Sequence, residues 1–252
     1  MVQIQRKSTD ADLHIKHIYL HDAAQLRPDL AKGSAIAIDG PAGAGKSTIA
    51  KKVSTALGHI YIDTGAMYRA VAYYCKKKDV NCSNEQDVIG ALDDIDIKIT
   101  IQNDTQHIYL NDEDITDLIR NQETASAAST VASYDKVRKQ LVALQRKLAA
   151  ETSVVMDGRD IGTHVLPNAK LKIFLTASII ERATRRAKEL EQKGYTVDLN
   201  EIKQEIMDRD YNDSNREFSP LCKASDAVEV DTTGKSIDEV TQEILQLING
   251  RL

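Results

Sequence analysis

A glycine-rich segment holds the residues whose types and spacing most clearly predict chemistry. It runs Gly40-Pro41-Ala42-Gly43-Ala44-Gly45-Lys46-Ser47-Thr48 and fits the pattern G-x-x-x-x-G-K-[ST]. Glycines let backbone N–H groups turn inward around phosphate oxygens, and the amino end of a following helix adds partial positive charge. In this pattern Lys46 reaches the β- and γ-phosphates and Ser47 ligates Mg²⁺. The segment therefore predicts a binding site for a nucleoside triphosphate.

The sequence on either side of this segment supports that interpretation. The apolar run 35–38 before it predicts a strand, and the apolar spacing over 49–57 after it predicts a helix. The alternative is an ordinary glycine-rich turn. Strand, loop and helix in this order favour the phosphate-binding loop.

The composition excludes several classes of protein. The chain has 252 residues, enough for one large domain or one domain with an inserted part. Its net charge of −5 argues against general nucleic-acid binding, which usually needs a basic surplus. The three cysteines lack metal-ligand spacing, and no apolar run approaches the roughly 20 residues of a transmembrane helix. We expect a cytoplasmic monomer that binds neither nucleic acid nor membranes.

From residue 35 onward, apolar patterns typical of strands and helices alternate. Strands are predicted at 60–62, 153–156, 171–175 and 227–230, and helices at 66–76, 131–150 and 237–248. This alternation predicts an α/β fold with a mostly parallel sheet covered on both faces. Residues 95–110 instead alternate apolar and polar side chains, which predicts an antiparallel hairpin turning at 103–105. Such a hairpin within a parallel α/β chain indicates a small insertion.

Two further predicted strands end in polar clusters, and ligands of such sheets bind at the carboxyl ends of strands. The clusters are Asp63-Thr64-Gly65-Ala66-Met67-Tyr68-Arg69 and Asp157-Gly158-Arg159-Asp160-Ile161-Gly162-Thr163. Each alone also fits a turn with a helix cap. Together with the phosphate-binding loop they predict a second anion site facing the first. Asp157, directly after an apolar strand, is placed to hold Mg²⁺ beside Ser47, with helix capping as the alternative.

Charged residues in the carboxyl-terminal third suggest a lid and a clamp. Residues 181–193 mix arginines with glutamates, which fits either a solvated helix face or a closing lid that stabilises phosphoryl transfer, with Gly194 as its hinge. Arg209, Asp213 and Arg216 share one face if their segment is helical. They predict either a surface ladder of ion pairs or a clamp for the sugar and base of an acceptor.

These motifs together resemble those of the bacterial cytidylate kinases, of the nucleoside monophosphate kinase superfamily. The resemblance also includes Ile119-Arg120, Ala127-Ala128-Ser129 and the run from Arg209-Asp210 to Arg216, and it extends over about 35–248. It implies a P-loop nucleoside monophosphate kinase core with a parallel sheet. It also implies a small antiparallel β insertion at about 90–115 in the monophosphate-binding region and a mobile helical lid at about 181–195.

The resemblance implies an activity of pyrimidine metabolism. The γ-phosphoryl group of ATP would pass, with Mg²⁺, to CMP or dCMP and give CDP or dCDP. Residues 40–48 would bind ATP, and Ser47 and Asp157 would hold the metal. The residues implied as catalytic are Lys46, Asp157, Arg159, Arg185 and Arg186.

The resemblance further implies how the acceptor is bound. Arg69 and Arg159 would hold its phosphate, with Thr64 nearby. The sugar hydroxyls would contact Arg209 and Asp213. The residues implied to read the cytosine are Ser129, Arg138, Asp160 and Arg216. A carboxylate at Asp160 accepts a hydrogen bond from the amine of cytosine but opposes the carbonyl of uracil, so we expect CMP to be preferred over UMP.

Residues 1–33 match nothing in the family pattern. We predict a tail of unknown role, a cloning remnant or a mis-set start, followed by a kinase domain over 34–252. Three other functions stay open as alternatives. They are a GTP-dependent switch, another small-molecule kinase such as a shikimate kinase, and a non-catalytic nucleotide-binding module. The segment Asp231-Thr232-Thr233-Gly234 fits the D-x-x-G pattern of a switch, but the sequence has no N-K-x-D motif to accompany it.

Overall fold

The computed structural model describes residues 34–102 and 105–250. The strands are β1 Ala35–Asp39, β2 Ile60–Asp63, β3 Ile97–Gln102, β4 Thr105–Leu110, β5 Glu113–Asp114, β6 Val154–Gly158, β7 Leu171–Thr176 and β8 Val228–Asp231. The helices are α1 Lys46–Leu57, α2 Thr64–Lys77, α3 Glu85–Ala91, α4 Gln122–Val131, α5 Asp135–Glu151, α6 Ile179–Gln192, α7 Leu199–Asn215 and α8 Ile237–Asn249. The predicted tail 1–33 and the turn residues 103–104 lie outside the described part.

The central sheet has five strands in the order β2-β6-β1-β7-β8, and every pairing is parallel. Successive residues of one strand point to opposite faces. In β1, Ala37 packs toward α2 and α5, while Ile36 and Ile38 pack toward α1 and α8. Both faces are therefore covered, which explains why these strands are continuous apolar runs. The predicted α/β architecture is confirmed.

The strand order brings three functional strand ends side by side. Because β6 lies between β2 and β1, Asp157 is in register with both Asp63 and Ile38, and Gly158 is in register with Asp39. The polar clusters that follow β2 and β6 therefore flank the phosphate-binding loop that follows β1.

The inserted region forms a separate antiparallel sheet of β3, β4 and β5. Ile97 pairs with Leu110 and Ile101 with Gln106, as expected for the predicted hairpin, and the short strand β5 adds an unpredicted third member. The buried Gln106 side chain accepts a hydrogen bond from the backbone N–H of Asp63 at 2.8 Å. This contact fixes the insertion against the end of β2.

Two helix predictions require correction at their starts. The helix expected over 131–150 begins only at Asp135, because the preceding α4 ends at Val131 and the chain turns between them. The Ser133 hydroxyl donates to the carbonyl of Thr130 at 2.7 Å, a local hydrogen bond that helps to satisfy the end of α4. The helix expected from residue 66 begins at Thr64, because Asp63 caps it by accepting from the N–H of Ala66.

Helices α6 and α7 pack together over the phosphate-binding loop. They share a small apolar cluster formed by Ala42, Ala183, Ala187, Ile202 and Ile206. The predicted lid at 181–195 covers most of α6 and the turn after it, where Gly194 has a φ of 86°. Within residues 34–102 and 105–250, none of the helices combines the length and apolar character needed to cross a membrane.

Candidate active site

The phosphate-binding loop joins β1 to α1 in a conformation that requires glycine at two points. Gly45 is the amino-terminal cap of α1 and has a φ of 86°. At Gly40, φ is 148° and a Cβ atom would lie 2.1 Å from the carbonyl oxygen of Leu175. The loop thus turns tightly against β7 and leads into the amino end of a helix, the geometry that binds phosphate.

Lys46 is buried at the centre of this loop. Its Nζ donates to the carbonyl oxygen of Pro41 at 2.6 Å. Burial lowers the pKa of Lys46 well below its usual range, and the nearby cations Arg159 and Arg209 act in the same direction. A bound anion would favour the charged lysine.

Ser47 and Asp157 lie together, as predicted for a metal site. Ser47 Oγ donates to Asp157 Oδ2 at 2.9 Å, and the buried Tyr61 hydroxyl donates to Asp157 Oδ1 at 2.8 Å. Burial and the nearby Asp63 raise the pKa of Asp157 to about 6. A hydroxyl and a carboxylate are the hard oxygen donors that Mg²⁺ takes, so this pair fits the ion. Thr64 Oγ1, which donates to the Asp157 carbonyl at 2.7 Å, fixes the same strand end.

Three arginines lie near this site, on α2, directly after β6 and on α7. Arg69 pairs with Asp63 at 2.8 Å, and Arg159 pairs with Asp213 at 2.8 Å. Burial and the nearby Arg159 lower the pKa of Arg209 to about 10. The Nε atoms of Arg69 and Arg209 are buried and have no hydrogen-bond partner among the described residues. Unsatisfied cationic donors of this kind fit an anionic ligand.

A second buried cluster lies around Asp160, which is 4% exposed. Its carboxylate forms an ion pair with Arg138, and Arg216 Nη2 lies 3.5 Å from its Oδ1. The Arg138 guanidinium also lies over the Tyr68 ring, 5.5 Å from the centroid. Three of the predicted base-reading residues are thus brought together, and the fourth, Ser129, lies half-buried on α4.

The two lid arginines have different partners. Arg185 donates to the hydroxyl of Thr232 at 2.9 Å and to its carbonyl at 2.8 Å, and a Cβ atom on Gly45 would lie 3.8 Å from Arg185 Nη1. Arg186 instead donates to Gln122 at the start of α4 at 2.7 Å. Arg185 therefore lies beside the phosphate-binding loop, whereas Arg186 connects the lid to α4.

Sequence reasoning missed Asp39, a buried carboxylate at the end of β1. It accepts hydrogen bonds from the N–H groups of Ile161 at 2.8 Å and Gly162 at 2.7 Å. Burial raises the pKa of Asp39 to about 6, although these two hydrogen bonds oppose the shift. The residue anchors the segment that carries Arg159 and Asp160. An aspartate ending an apolar strand next to the motif was the available signal.

Sequence reasoning placed Thr232, Arg182 and Asp210 in motifs or charged runs but assigned none of them a role in this site. Thr232 holds Arg185, so the segment matching D-x-x-G supports a lid arginine here. Arg182 and Asp210 both bind the backbone of Ala42 in the phosphate-binding loop. Asp210 stands between the predicted sugar-binding residues, a position that could have drawn attention to it.

Comparison with known proteins is consistent with this geometry. The family model described as "Cytidylate kinase" matches residues 36–250. The cytidylate kinase of Halalkalibacterium halodurans is 51% identical over 217 residues, which cover 86% of this chain and 98% of that protein. The cytidylate kinase of Caldicellulosiruptor bescii is 51% identical over 212 residues, which cover 84% of this chain and 94% of that protein.

A solved structure supports the fold alone. It is that of an uncharacterized protein from Eubacterium ventriosum, which aligns with a TM-score of 0.51 at 13% identity and covers 86% of this chain and 99% of that one. The family match and the two curated relatives extend over nearly all of the described residues. The chain therefore belongs to the cytidylate kinase family of phosphotransferases.

Proposed function

We propose that the protein transfers the γ-phosphoryl group of ATP to CMP or dCMP, giving ADP and CDP or dCDP. The observation that carries this proposal is the set of half-buried arginines beside the phosphate-binding loop. Arg159 and Arg209 lie near enough to Lys46 to lower its pKa, and Arg69 acts in the same way on Arg209, so the three cations form one group beside the lysine of the phosphate-binding loop. Family membership supports the same activity.

The donor is held by the loop between β1 and α1. Residues 40–48 surround the triphosphate and donate the backbone N–H groups that follow Ala42, and Lys46 turns from the Pro41 carbonyl to the β- and γ-phosphates. Ser47 and Asp157 would hold Mg²⁺, which would supply neutralising charge to these phosphates. Arg185, beside Gly45, adds positive charge near the same phosphates.

The acceptor phosphate lies between Arg69 and Arg159, and Arg209 with Asp213 contacts the sugar hydroxyls. No general base is required, because the acceptor phosphate is already an oxyanion. The work of these residues is to align two polyanions and to screen their repulsion. Closure of α6 and α7 over the loop excludes water, which would otherwise hydrolyse ATP.

The base is read by the buried cluster around Asp160. The Asp160 carboxylate accepts from the exocyclic amine of cytosine, while Arg138, Arg216 and Ser129 offer donors to its ring nitrogen and carbonyl. Uracil presents a carbonyl where cytosine has the amine. Two acceptors would then be opposed in a buried site, which is unfavourable. We also propose that the enzyme acts as a cytoplasmic monomer, and the three free cysteines are in keeping with a reducing compartment.

A panel of acceptors tests the proposal. ADP formation from Mg·ATP is followed in a coupled assay with CMP, dCMP, UMP, AMP, GMP and shikimate, and products are identified by chromatography. We expect CDP and dCDP from the first two and much slower turnover of the others. Purified, folded protein that makes no CDP would contradict the proposal. A preference for shikimate or GMP would favour another small-molecule kinase.

A further inference from the structure

One residue of the phosphate-binding loop, Ala42, is bound to both α6 and α7. Ala42 is 7% exposed and belongs to the apolar cluster between α6 and α7. Its N–H donates to Asp210 Oδ1 on α7 at 2.9 Å, and its carbonyl accepts from Arg182 Nη1 on α6 at 2.9 Å. Both polar backbone atoms of Ala42 are therefore bound by side chains of these two helices.

Arg182 and Asp210 form a single unit. They make an ion pair with each other, and their side chains are only 10% and 19% exposed. Arg182 Nε also donates to the carbonyl of Ala177, just before α6. A charge buried to this extent is costly unless it is paired and hydrogen-bonded. The position of each partner is therefore tied to the other and to Ala42.

The approach of α6 to the loop leaves little room for adjustment. A Cβ atom added at Gly43 would lie 3.1 Å from Arg182 Cβ and 3.2 Å from its carbonyl oxygen. A displacement of α6 by even a fraction of an ångström would therefore also displace the loop. Close-packed contacts of this kind transmit displacement.

Helix α7 carries acceptor-side residues next to Asp210. Arg209 precedes it, and Asp213, one turn later, pairs with Arg159 at 2.8 Å. One helix therefore contacts the donor loop through Asp210 and the acceptor arginines through Asp213. If an acceptor nucleotide fixes the position of α7, this rigid helix transmits the effect to Ala42 through Asp210.

We propose that Arg182 and Asp210 are positioning residues that couple the two substrate sites. Acceptor binding fixes the position of α7, and the hydrogen bonds to Ala42 then hold the phosphate-binding loop in the conformation that accepts ATP. By thermodynamic linkage, ATP strengthens acceptor binding by the same factor. The inference rests on the proposed function, because it takes CMP as the ligand beside Arg159.

Binding measurements with both ligands test the coupling. The Kd of CMP is measured by calorimetry without and with a saturating, non-hydrolysable Mg·ATP analogue, and the ratio of the two values is the coupling factor. We expect a factor of about five or more for the natural protein. Asp210→Ala removes the acceptor for the Ala42 N–H and the partner of Arg182, so the factor should approach one.

Two further variants separate positioning from general stability. Arg182→Lys retains a cation toward Asp210 but loses the planar fork that reaches Ala42 and Ala177, so an intermediate factor is expected. The control is Asp208→Asn, an exposed carboxylate on α7 that hydrogen-bonds Gln204 at 2.8 Å, and its factor should be unchanged. Thermal melting verifies that each variant is folded under the conditions of the titration.

The possible outcomes are distinct. If the natural protein has a factor of one, or if folded Asp210→Ala or Arg182→Lys retains the natural factor, the pair is only structural and the inference is wrong. If CMP neither binds nor is phosphorylated, the proposed function fails and the inference falls with it. If folded Asp210→Ala binds CMP and the Mg·ATP analogue separately but the two Kd values of CMP are equal, the coupling is confirmed.

Discussion

Ser47 Oγ donates a hydrogen bond to Asp157 Oδ2 over 2.9 Å, although 110 residues separate them in the chain. Ser47 stands in the first turn of the helix after β1, and Asp157 lies in β6, the strand that pairs with β1. The parallel pairing therefore places a hydroxyl and a carboxylate where two strands end together. This juxtaposition is the structural basis for expecting a metal ion beside the phosphate-binding loop.

Replacing Lys46 should remove most of the activity. Lys46→Ala deletes the buried cation beside the transferred phosphate, and we expect kcat to fall about 10²–10³-fold, as for the loss of one preorganised charge-stabilising group. The measurement is steady-state turnover of CMP, with a melting curve to verify folding. The matched control is Lys52→Ala on the same helix, which loses only an exposed ion pair with Asp238. Equal losses in both variants would contradict a specific role for Lys46.

Asp160 should determine the choice between cytosine and uracil. Asp160→Asn retains the shape of the side chain but presents an amide that can donate to the carbonyl of uracil. The ratio of kcat/KM for CMP to that for UMP should fall by at least about tenfold. Because Arg138 and Arg216 both face this position, the variant will also melt at a lower temperature. A folded variant with the natural CMP/UMP ratio would remove Asp160 from the base site.

Asp39 should impose a pH dependence on stability. Burial raises its pKa from 3.8 to about 6, with Asp160 and Lys46 as the charged groups that face it. The folded state therefore binds a proton more tightly than the unfolded state. The free energy of unfolding contributed by Asp39 is greatest below pH 4 and decreases as the pH rises to 6, by about 3 kcal/mol in total.

Comparison with Asp39→Asn isolates this contribution from other titrating groups. Urea unfolding of both proteins between pH 4 and 7 gives the difference in unfolding free energy at each pH. The unfolding free energy of the natural protein minus that of Asp39→Asn should decrease as the pH rises. A difference that is constant over this range would show that the carboxylate titrates normally in the fold.

Replacement by alanine should have opposite effects on stability at Gly40 and at Gly90. Gly40→Ala would place a methyl group 2.1 Å from the Leu175 carbonyl oxygen, so the loop must move and both stability and turnover should fall. Gly90 is exposed near the end of α3 with no atom within 4 Å of the added Cβ. Gly90→Ala should stabilise the protein by about 0.5–1 kcal/mol. Thermal melting of both variants measures the contrast, and a neutral Gly40→Ala would contradict the described loop.

Local patterns were sufficient to predict much of the fold and site. The alternation of Ile97, Ile99 and Ile101 predicted β3, and the motif spacing predicted that Ser47 and Asp157 would meet. Strand β5 was missed because its two exposed acidic residues carry no periodic signal. The contact of Asp39 with the segment after Asp160 was missed for another reason. It joins residues that are 122 positions apart, and only the folded chain shows their proximity.

The order of the central strands has a consequence for how the protein folds. Strands β1 and β2 are neighbours in the sequence, yet they do not pair with each other, because β6 lies between them. A nascent chain emerging from the ribosome thus cannot assemble this edge until residues up to Gly158 are available. Such non-local pairing slows folding and leaves the apolar strand 35–39 exposed meanwhile. The same topology that aligns the proposed catalytic groups therefore makes the newborn polypeptide depend on a late segment for its central sheet.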